Sequence, residues 1–249
     1  MLCVHWLPWG AFQFKQNHDS FATDDDDQKT NLSIRSSQKT WSVFAEAFDA
    51  LQKSKLGQDR TAQVQLQSIS FNGASPTTHS IVVLYPSMTE MDKWTLKNAN
   101  SEEGAAFRAV ASKISKPVTQ YITVPMKSWG TVSSKDTHWD SISMNVTDPA
   151  AVLAGLDEMM TSAELQDFPG ELWLVEVLRG QSSATGHMTH QIYVGYESLS
   201  ELDAWSDKLH KTAAWQKWLG VASQSFTITN RETANWLKAY EHSYSLEDF

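Results

Sequence analysis

The sequence predicts an α+β fold in which a β-α-β-β-α-β unit occurs twice, with the two units packed sheet to sheet. Three observations support this prediction: a long internal repeat, short strands with apolar residues at every second position, and helices that begin at matching capping residues in both copies. A chain of 249 residues is long enough to form two such units.

The internal repeat is the strongest signal in the sequence. Residues 78–94 recur as residues 189–205 without a gap, and nine of these 17 positions hold the same residue. The shared residues begin at Thr78 and Thr189 and end at Trp94 and Trp205. Agreement of this length indicates a duplicated unit, so the elements of one copy help to assign those of the other.

The first strand and the first helix of each copy follow from hydrophobic periodicity. Apolar and polar residues alternate at 32–35 and at 142–146, which predicts a strand at each place. Asp148-Pro149 supplies a helix N-cap and a first-turn proline in the second copy, and Gly57 is predicted to end the helix of the first copy. The apolar residues at helical spacing are Phe44, Phe48 and Leu51 in one copy and Val152, Leu156 and Met159 in the other.

Two further strands, a second helix and a last strand complete each copy. Ser87 and Ser198 each precede a glutamate by three residues, which predicts two capping boxes whose helices bury Trp94 and Trp205. The resulting order is the split βαβ, or ferredoxin-like, unit, an antiparallel sheet with two helices on one face. The predicted strands are 63–71, 78–85 and 120–124 in the first copy, and 172–179, 189–196 and 225–229 in the second.

These elements divide the chain into three parts. Residues 1–30 are predicted to be a loosely ordered tail because they lack a clear period and contain the acidic run Asp24–Asp27. Residues 31–130 form the first repeat and residues 131–249 the second. The apolar opening of the tail is alternatively the remnant of a longer signal region, so a cytoplasmic and an exported location both stay open.

The repeated unit resembles a tandem, single-chain version of the dimeric α+β barrel superfamily. Residues 127–130, 146–150 and 168–170 also resemble segments of a bacterial family of such tandem proteins. The superfamily includes cofactor-free monooxygenases of the antibiotic-biosynthesis type, small haem-degrading enzymes and chlorite-dismutase-like haem proteins. The resemblance covers about residues 31–236 and implies the fold, whereas the superfamily shares no universal catalytic motif.

Composition limits the partners and the chemistry. The net charge of −9 repels a phosphate backbone, and no apolar stretch is long enough for a membrane span, so we expect neither nucleic acid nor a membrane as partner. One cysteine, Cys3, provides neither an internal disulfide nor a thiolate cluster. The sequence holds no metal-ligand spacing, nucleophile elbow, dinucleotide fingerprint or P-loop, so it predicts no metal and no cofactor. We expect a monomer by internal pseudo-dimerisation, with further oligomerisation left open.

Histidines and a tryptophan are the residues most suggestive of chemistry. His79 and His190 could bind a metal or haem or act as a base, but His79 shares a strand face with the repeated Ile81. The favoured interpretation is therefore a histidine that lies under the helices and hydrogen-bonds a neighbouring turn. His138 and Trp139 could flank an aromatic substrate, as the resemblance to cofactor-free monooxygenases implies; the favoured interpretation is that Trp139 plugs the end of the barrel.

Strand parity predicts which polar residues point between the two sheets, where a ligand would bind. Arg35 is the candidate anchor for a carboxylate-bearing ligand, but the favoured interpretation is that its side chain reaches solvent at an open barrel edge. The favoured function is non-catalytic binding of a small polar or carboxylate-bearing molecule between the repeats; the alternative is a cofactor-independent, oxygenase-like enzyme acting on a small organic molecule. The candidate binding residues are Arg35, Gln65, His138, Trp139, Ser143, Asn145, Thr227 and Thr229.

Overall fold

The structure is a computed structural model, and it describes residues 2–5, 11–14, 26–73, 75–131, 133, 135–183 and 185–241. Side chains are described from residue 40 onward within these ranges, except at residue 183. The elements of the first repeat are β1 (Leu2–His5), β2 (Ala11–Phe14), α1 (Asp26–Lys53), α2 (Lys55–Gln58), β3 (Gln63–Phe71), β4 (His79–Tyr85), α3 (Met88–Ala99), α4 (Glu102–Ile114), β5 (Ser115–Thr119) and β6 (Tyr121–Gly130).

The second repeat follows after a short connection. Its elements are β7 (His138–Val146), α5 (Pro149–Met160), a 3₁₀ turn (Ala163–Leu165), β8 (Glu171–Arg179), β9 (Ser182–Ser183), β10 (Gly186–His187), β11 (His190–Tyr196), α6 (Leu199–Leu209), α7 (Ala213–Ser225) and β12 (Phe226–Tyr240).

Eight strands close into an antiparallel barrel. Their order is β1-β6-β8-β11-β7-β12-β3-β4, and β1 closes the ring by pairing with β4. Each repeat contributes four adjacent strands, and the repeats meet where β6 pairs with β8 and where β12 pairs with β3. The predicted α+β class is confirmed. The two sheets join edge to edge into one closed sheet, however, because pairing the edge strands satisfies backbone groups that two separate sheets would leave open.

The helices cover the outside of the barrel and bury two apolar cores. One core lies under α1, α3 and α4 and includes Phe44, Phe48 and Trp94; the other lies under α5, α6 and α7 and includes Leu156 and Trp205. The two tryptophans are only 5% and 6% exposed, as predicted. The strand face that is repeated between the copies therefore faces the helices, and the other face points into the barrel.

Helix starts follow the predicted caps with one correction. Asp148 accepts a hydrogen bond from the backbone N–H of Ala151 at 3.0 Å, and Ser87 and Ser198 each accept one from the amide three residues on, at 3.2 Å. The returning half of the capping box is absent at both of these helices. Glu201 accepts instead from the backbone N–H of Glu197, and the Glu90 carboxylate binds Thr61 and Lys93.

The beginning of the first repeat differs from the prediction. Residues 32–35 lie within helix α1, not in a strand, and the first strand is β1, which pairs with β4 and β6. Four alternating residues are too short a pattern to predict a strand reliably, and here they belong to the same helix as the apolar residues Phe44, Phe48 and Leu51. The predicted tail therefore contains a barrel strand, and a first repeat beginning at residue 31 omits it. Helix α1 ends at Lys53, and Gly57 lies in the separate short helix α2.

Candidate functional site

The barrel interior contains a cavity of about 110 Å³. A single water needs roughly 10–15 Å³ of such space, so the cavity has room for a small organic molecule. Both repeats line it, through the inward-facing residues of β3, β4, β7, β8, β11 and β12, together with residues of β6, the end of β5 and the segments near residues 75–77 and 185–188. The cavity is therefore shared between the two copies.

One wall of the cavity is apolar and aromatic. Val82, Leu84, Trp173 and Val175 form a buried cluster inside the barrel, and Trp139 packs against it. Trp236 also packs against this cluster and stacks on Trp139, with ring centroids 6.1 Å apart and planes inclined by 11°. Such a wall matches the flat apolar face of an aromatic ring.

The indoles of Trp173 and Trp139 donate hydrogen bonds to a buried carboxyl group and to a backbone carbonyl, respectively. Trp173 Nε1 donates to Glu171 Oε2 at 2.5 Å, and Trp139 Nε1 donates to the backbone carbonyl of Asp136 at 2.8 Å. Burial raises the pKa of Glu171 to about 8, and burial together with the charges of Glu201 and Glu197 raises the pKa of Asp136 to about 6. Glu171 lies behind Trp173 and is not part of the cavity lining.

Beside this apolar wall, β3 carries a ladder of glutamine amides, since Gln65 pairs with Val82 of the wall. Gln67 Nε2 donates to Gln65 Oε1 at 3.2 Å, and Gln65 Nε2 donates to Gln63 Oε1 at 3.4 Å. Ser80 on the neighbouring strand donates to Gln67 Oε1 at 2.8 Å. The three amides are buried, and each bond fixes the orientation of the next. Gln65 and Gln67 line the cavity, so the ladder presents oriented polar groups to whatever binds there.

A second polar group comes from the other repeat. Gln191 Nε2 donates to Ser143 Oγ at 3.0 Å and to the Tyr121 hydroxyl at 3.3 Å. The Tyr193 hydroxyl donates to Gln191 Oε1 at 2.5 Å. All four side chains line the cavity. This network stabilises a single arrangement of hydroxyl and amide groups around Gln191.

Glu232 is the acidic side chain of the described lining. Its Oε1 accepts a hydrogen bond from Asn230 Nδ2 at 2.9 Å. Burial raises the pKa of Glu232, while hydrogen bonds from Ser75 and Asn230 oppose that rise. No lysine, arginine or histidine is among the lining residues that the structure describes. Elsewhere in the described residues, no three histidine, cysteine or carboxylate side chains converge on a metal-sized point.

The histidines have structural surroundings. His79 Nδ1 lies 3.1 Å from Thr78 Oγ1, and its ring stacks on Trp41 at 4.1 Å. His190 Nδ1 lies 2.9 Å from Thr189 Oγ1. Burial lowers the pKa of His79 to about 4 and lowers that of His190, so both rings stay neutral near neutral pH. The predicted position under the helices is present, whereas Nδ1 of each ring contacts the threonine directly before it and not a neighbouring turn.

The predicted binding residues divide into those that reach the cavity and those that do not. Gln65, Trp139 and Ser143 line it. Asn145 shares the strand face of Ser143 but is not in the lining, and His138 contacts Thr137 through its ring nitrogen, 3.1 Å from the threonine hydroxyl. The side chain of Arg35 lies outside the described residues, and its position on helix α1 removes the strand parity on which the prediction was based.

The last strand departs from simple parity. Thr227 is exposed, and Thr229 donates to the backbone carbonyl of Ser143 at 3.2 Å without lining the cavity. The cause is a β-bulge, because Ile228 pairs with Met144 and Asn230 with Ser143, which leaves Thr229 as the extra residue.

Several cavity residues were absent from the predicted set. The alternation that placed His79 under the helices also directs Ser80 and Gln191 into the barrel. The same alternation on the second strand places Gln67 on the inner face with Gln65, and Trp173 at the equivalent position of the other copy. These residues could therefore have been predicted. Asn230 and Glu232 could not, since a bulge leaves no signal in the hydrophobic pattern.

Comparison with known proteins supports the fold. No known family and no curated protein matches the sequence. A solved structure from Fusobacterium nucleatum, provisionally named a monooxygenase, has a TM-score of 0.57 and 10% identity and covers 96% of this chain and 93% of its own. An anthrone oxidase-like protein has a TM-score of 0.55 and 11% identity, with 98% and 95% covered.

A third solved structure, from Lactobacillus acidophilus and also provisionally named a monooxygenase, has a TM-score of 0.51 and 11% identity and covers 80% of this chain and 87% of its own. At these identities the likeness concerns the fold alone. The chain has the dimeric α+β barrel fold, in single-chain form. Within the described residues, no helix is both long enough and apolar enough to cross a bilayer.

Proposed function

We propose that the protein binds a small, uncharged organic molecule with a flat apolar body and hydrogen-bonding groups inside the barrel. The observation that carries this proposal is one cavity inside the barrel that is lined both by an indole wall, around Trp139 and Trp173, and by an amide wall, at Gln65 and Gln67. Ligand sites commonly combine an apolar enclosure with a few oriented polar groups.

The charge of the lining favours a neutral ligand over a carboxylate. A buried carboxylate needs a cation or several donors, and the described lining offers no basic side chain. It also holds Glu232, which would repel a second negative charge. The sequence left two kinds of ligand open, a small polar molecule and a carboxylate-bearing one. The lining favours the neutral polar molecule over the carboxylate that Arg35 was expected to bind.

Isothermal titration calorimetry with a cavity-filling variant tests the proposal. Ser141 lines the cavity on β7, between Trp139 and Ser143. We expect 1-naphthol to bind the wild-type protein at one site per chain and to bind the matched control Ser141→Ala similarly. Ser141→Phe fills the cavity, so its affinity should fall at least tenfold. Equal binding by Ser141→Phe would contradict a site inside the barrel.

A second candidate is cofactor-independent oxygenation of such a molecule. It is favoured by the likeness to structures named monooxygenase and anthrone oxidase-like, and by a cavity that combines an aromatic wall with a carboxyl group. In such a reaction a substrate methylene and O₂ yield a carbonyl group and water. Consumption of O₂ by the protein with anthrone, absent with Ser141→Phe, would establish catalysis. Binding without O₂ consumption favours the first candidate.

A further inference from the structure

We propose that Glu232 selects the ligand of the barrel, because its carboxyl group accepts a hydrogen bond from a ligand hydroxyl. The cavity would then prefer hydroxyl-bearing neutral aromatic molecules, such as phenols, over their ethers and over aromatic carboxylates. This inference rests on the proposed function and specifies the class of molecule that the same cavity binds.

The β-bulge in β12 determines which side chains enter the barrel. Before the bulge Thr227 pairs with Asn145, and after it Asn230 pairs with Ser143 and Glu232 with Ser141. The extra residue, Thr229, reverses the alternation of the strand. Without it, the odd-numbered residues would continue to face inward.

The reversal exchanges a guanidinium for a carboxyl group inside the barrel. Arg231 and Thr233 would occupy the inner face of a regular strand. In the bulged strand both point outward and bind Asp140, Arg231 Nη2 to Oδ2 at 2.5 Å and Thr233 Oγ1 to Oδ1 at 2.6 Å. Asp140 is 3% exposed, so these bonds compensate its burial and stabilise the bulged register. Because of the bulge, the cavity contains a carboxyl group that can accept a hydrogen bond and lacks the Arg231 guanidinium, which would bind an anion.

Glu232 retains hydrogen-bonding capacity for a ligand. A carboxylate can accept roughly four hydrogen bonds. Asn230 donates one to Oε1 at 2.9 Å, and Ser75 is the second neighbour that stabilises the charged form. The carboxyl lies in the cavity lining with the indole of Trp139 two residues along the paired strand. A ring that stacks on the indole wall can thus present a hydroxyl to Glu232.

A matched pair of probes tests this inference by calorimetry. 1-Methoxynaphthalene carries a methyl group in place of the donor proton of 1-naphthol, and 1-naphthoate carries a negatively charged carboxylate in place of the hydroxyl. We expect the wild-type protein to bind 1-naphthol about tenfold more tightly than the ether, the effect of one hydrogen bond to a carboxyl group. Binding of 1-naphthoate should be weaker still. The probe comparison requires no variant, so it does not depend on the folding of a mutant.

The isosteric variant Glu232→Gln tests whether Glu232 causes the preference for 1-naphthol over its ether. It should narrow the difference between 1-naphthol and the ether and should improve the binding of 1-naphthoate. Glu176→Gln, on the exposed outer face of β8, is the matched control and should behave like the wild-type protein. Equal affinity of the wild-type protein for 1-naphthol and its ether would overturn the role of Glu232 and leave the proposed function intact. If neither 1-naphthol nor its ether binds, both the role of Glu232 and the proposed function are overturned.

Discussion

The two faces of the third strand differ sharply between the repeats. The outer residues of β4 and β11, which face the helices, are identical in the two copies: His79 and His190, Ile81 and Ile192, Val83 and Val194, Tyr85 and Tyr196. The inner residues all differ: Ser80 and Gln191, Val82 and Tyr193, Leu84 and Gly195. Packing under the helices requires the same residues in both copies. The barrel interior is a single space shared by both copies, so it does not require their inner residues to be the same.

The second strands extend this contrast. Register with the third strands places Gln63, Gln65 and Gln67 of β3 at the positions of Glu171, Trp173 and Val175 of β8. On these second strands one copy therefore supplies glutamine amides to the cavity, and the other supplies Trp173 and Val175 to an apolar wall that also includes residues of β4. Gly195 contributes to the difference, because a Cβ there would lie 3.1 Å from the ring of Trp139. Two identical halves would have produced a symmetric cavity without these distinct walls.

The largest expected effects concern the shared outer architecture. Trp94→Ala and Trp205→Ala should each lower the free energy of unfolding by about 3–5 kcal/mol, because each removes a large buried side chain from equivalent cores. Denaturant unfolding followed by circular dichroism measures the change. Similar losses in the two copies would support equivalent outer faces, and an unchanged midpoint for either variant would show that its ring is not part of a packed core.

Glu171 provides a test of the divergent inner face. Its pKa is raised to about 8 in the folded protein from an ordinary value of 4.5, so its contribution to stability is fully present below the ordinary value and is lost as pH rises through 8. Glu171→Gln introduces the residue type of the first copy and retains an acceptor for Trp173. Above the raised pKa the variant should be more stable than the wild-type protein by an amount on the order of a few kcal/mol.

The measurement is the free energy of unfolding of both proteins as a function of pH. The difference between them removes the contribution of carboxyl groups that do not interact with Glu171; the charge of Asp136, which helps to raise the pKa of Glu171, remains part of the measured effect. A difference that stays constant from acidic to alkaline pH would contradict the raised pKa and the burial from which it arises.

The smallest expected effects concern the helix caps. Ser87 and Ser198 hold equivalent amides at the same distance of 3.2 Å. Replacing either serine by alanine should cost about 1 kcal/mol, measured by thermal or denaturant unfolding. Because the returning glutamate bond of a capping box is absent at both helices, we expect the two losses to match. A loss confined to one copy would break the equivalence of the outer faces.

The parts of the structure that could be predicted are those governed by local periodicity. The repeat and the alternation of the third strand predict the duplicated elements and the helix-facing position of His79, and both depend on patterns of several residues. Strand β3 matches its predicted range, 63–71. Strand parity placed Gln65 and Ser143 on the inner face, and both line the cavity; Trp139, which was expected at the mouth of the barrel, lines it as well.

The parts that could not be predicted depend on long-range pairing. Strand β1 is only four residues long, and its place in the barrel is set by hydrogen bonds to β4 and β6. The inward direction of Glu232 depends on the bulge at Thr229, which is stabilised by contacts with β7 and with Asp140. Neither feature leaves a periodic pattern in the sequence, so parity alone placed Thr229 in the site and missed Glu232.

A crystal structure with 4-bromo-1-naphthol tests the central claim most directly, because bromine marks the ligand by anomalous scattering. The claim is that the divergent inner face forms the binding site and that the shared outer face is structural. We predict one bromine peak per chain, inside the barrel, with the ring against Trp139 and Trp173 and the hydroxyl within hydrogen-bond distance of Glu232. Bromine peaks confined to the helical surface, with nothing bound inside the barrel, would contradict the account.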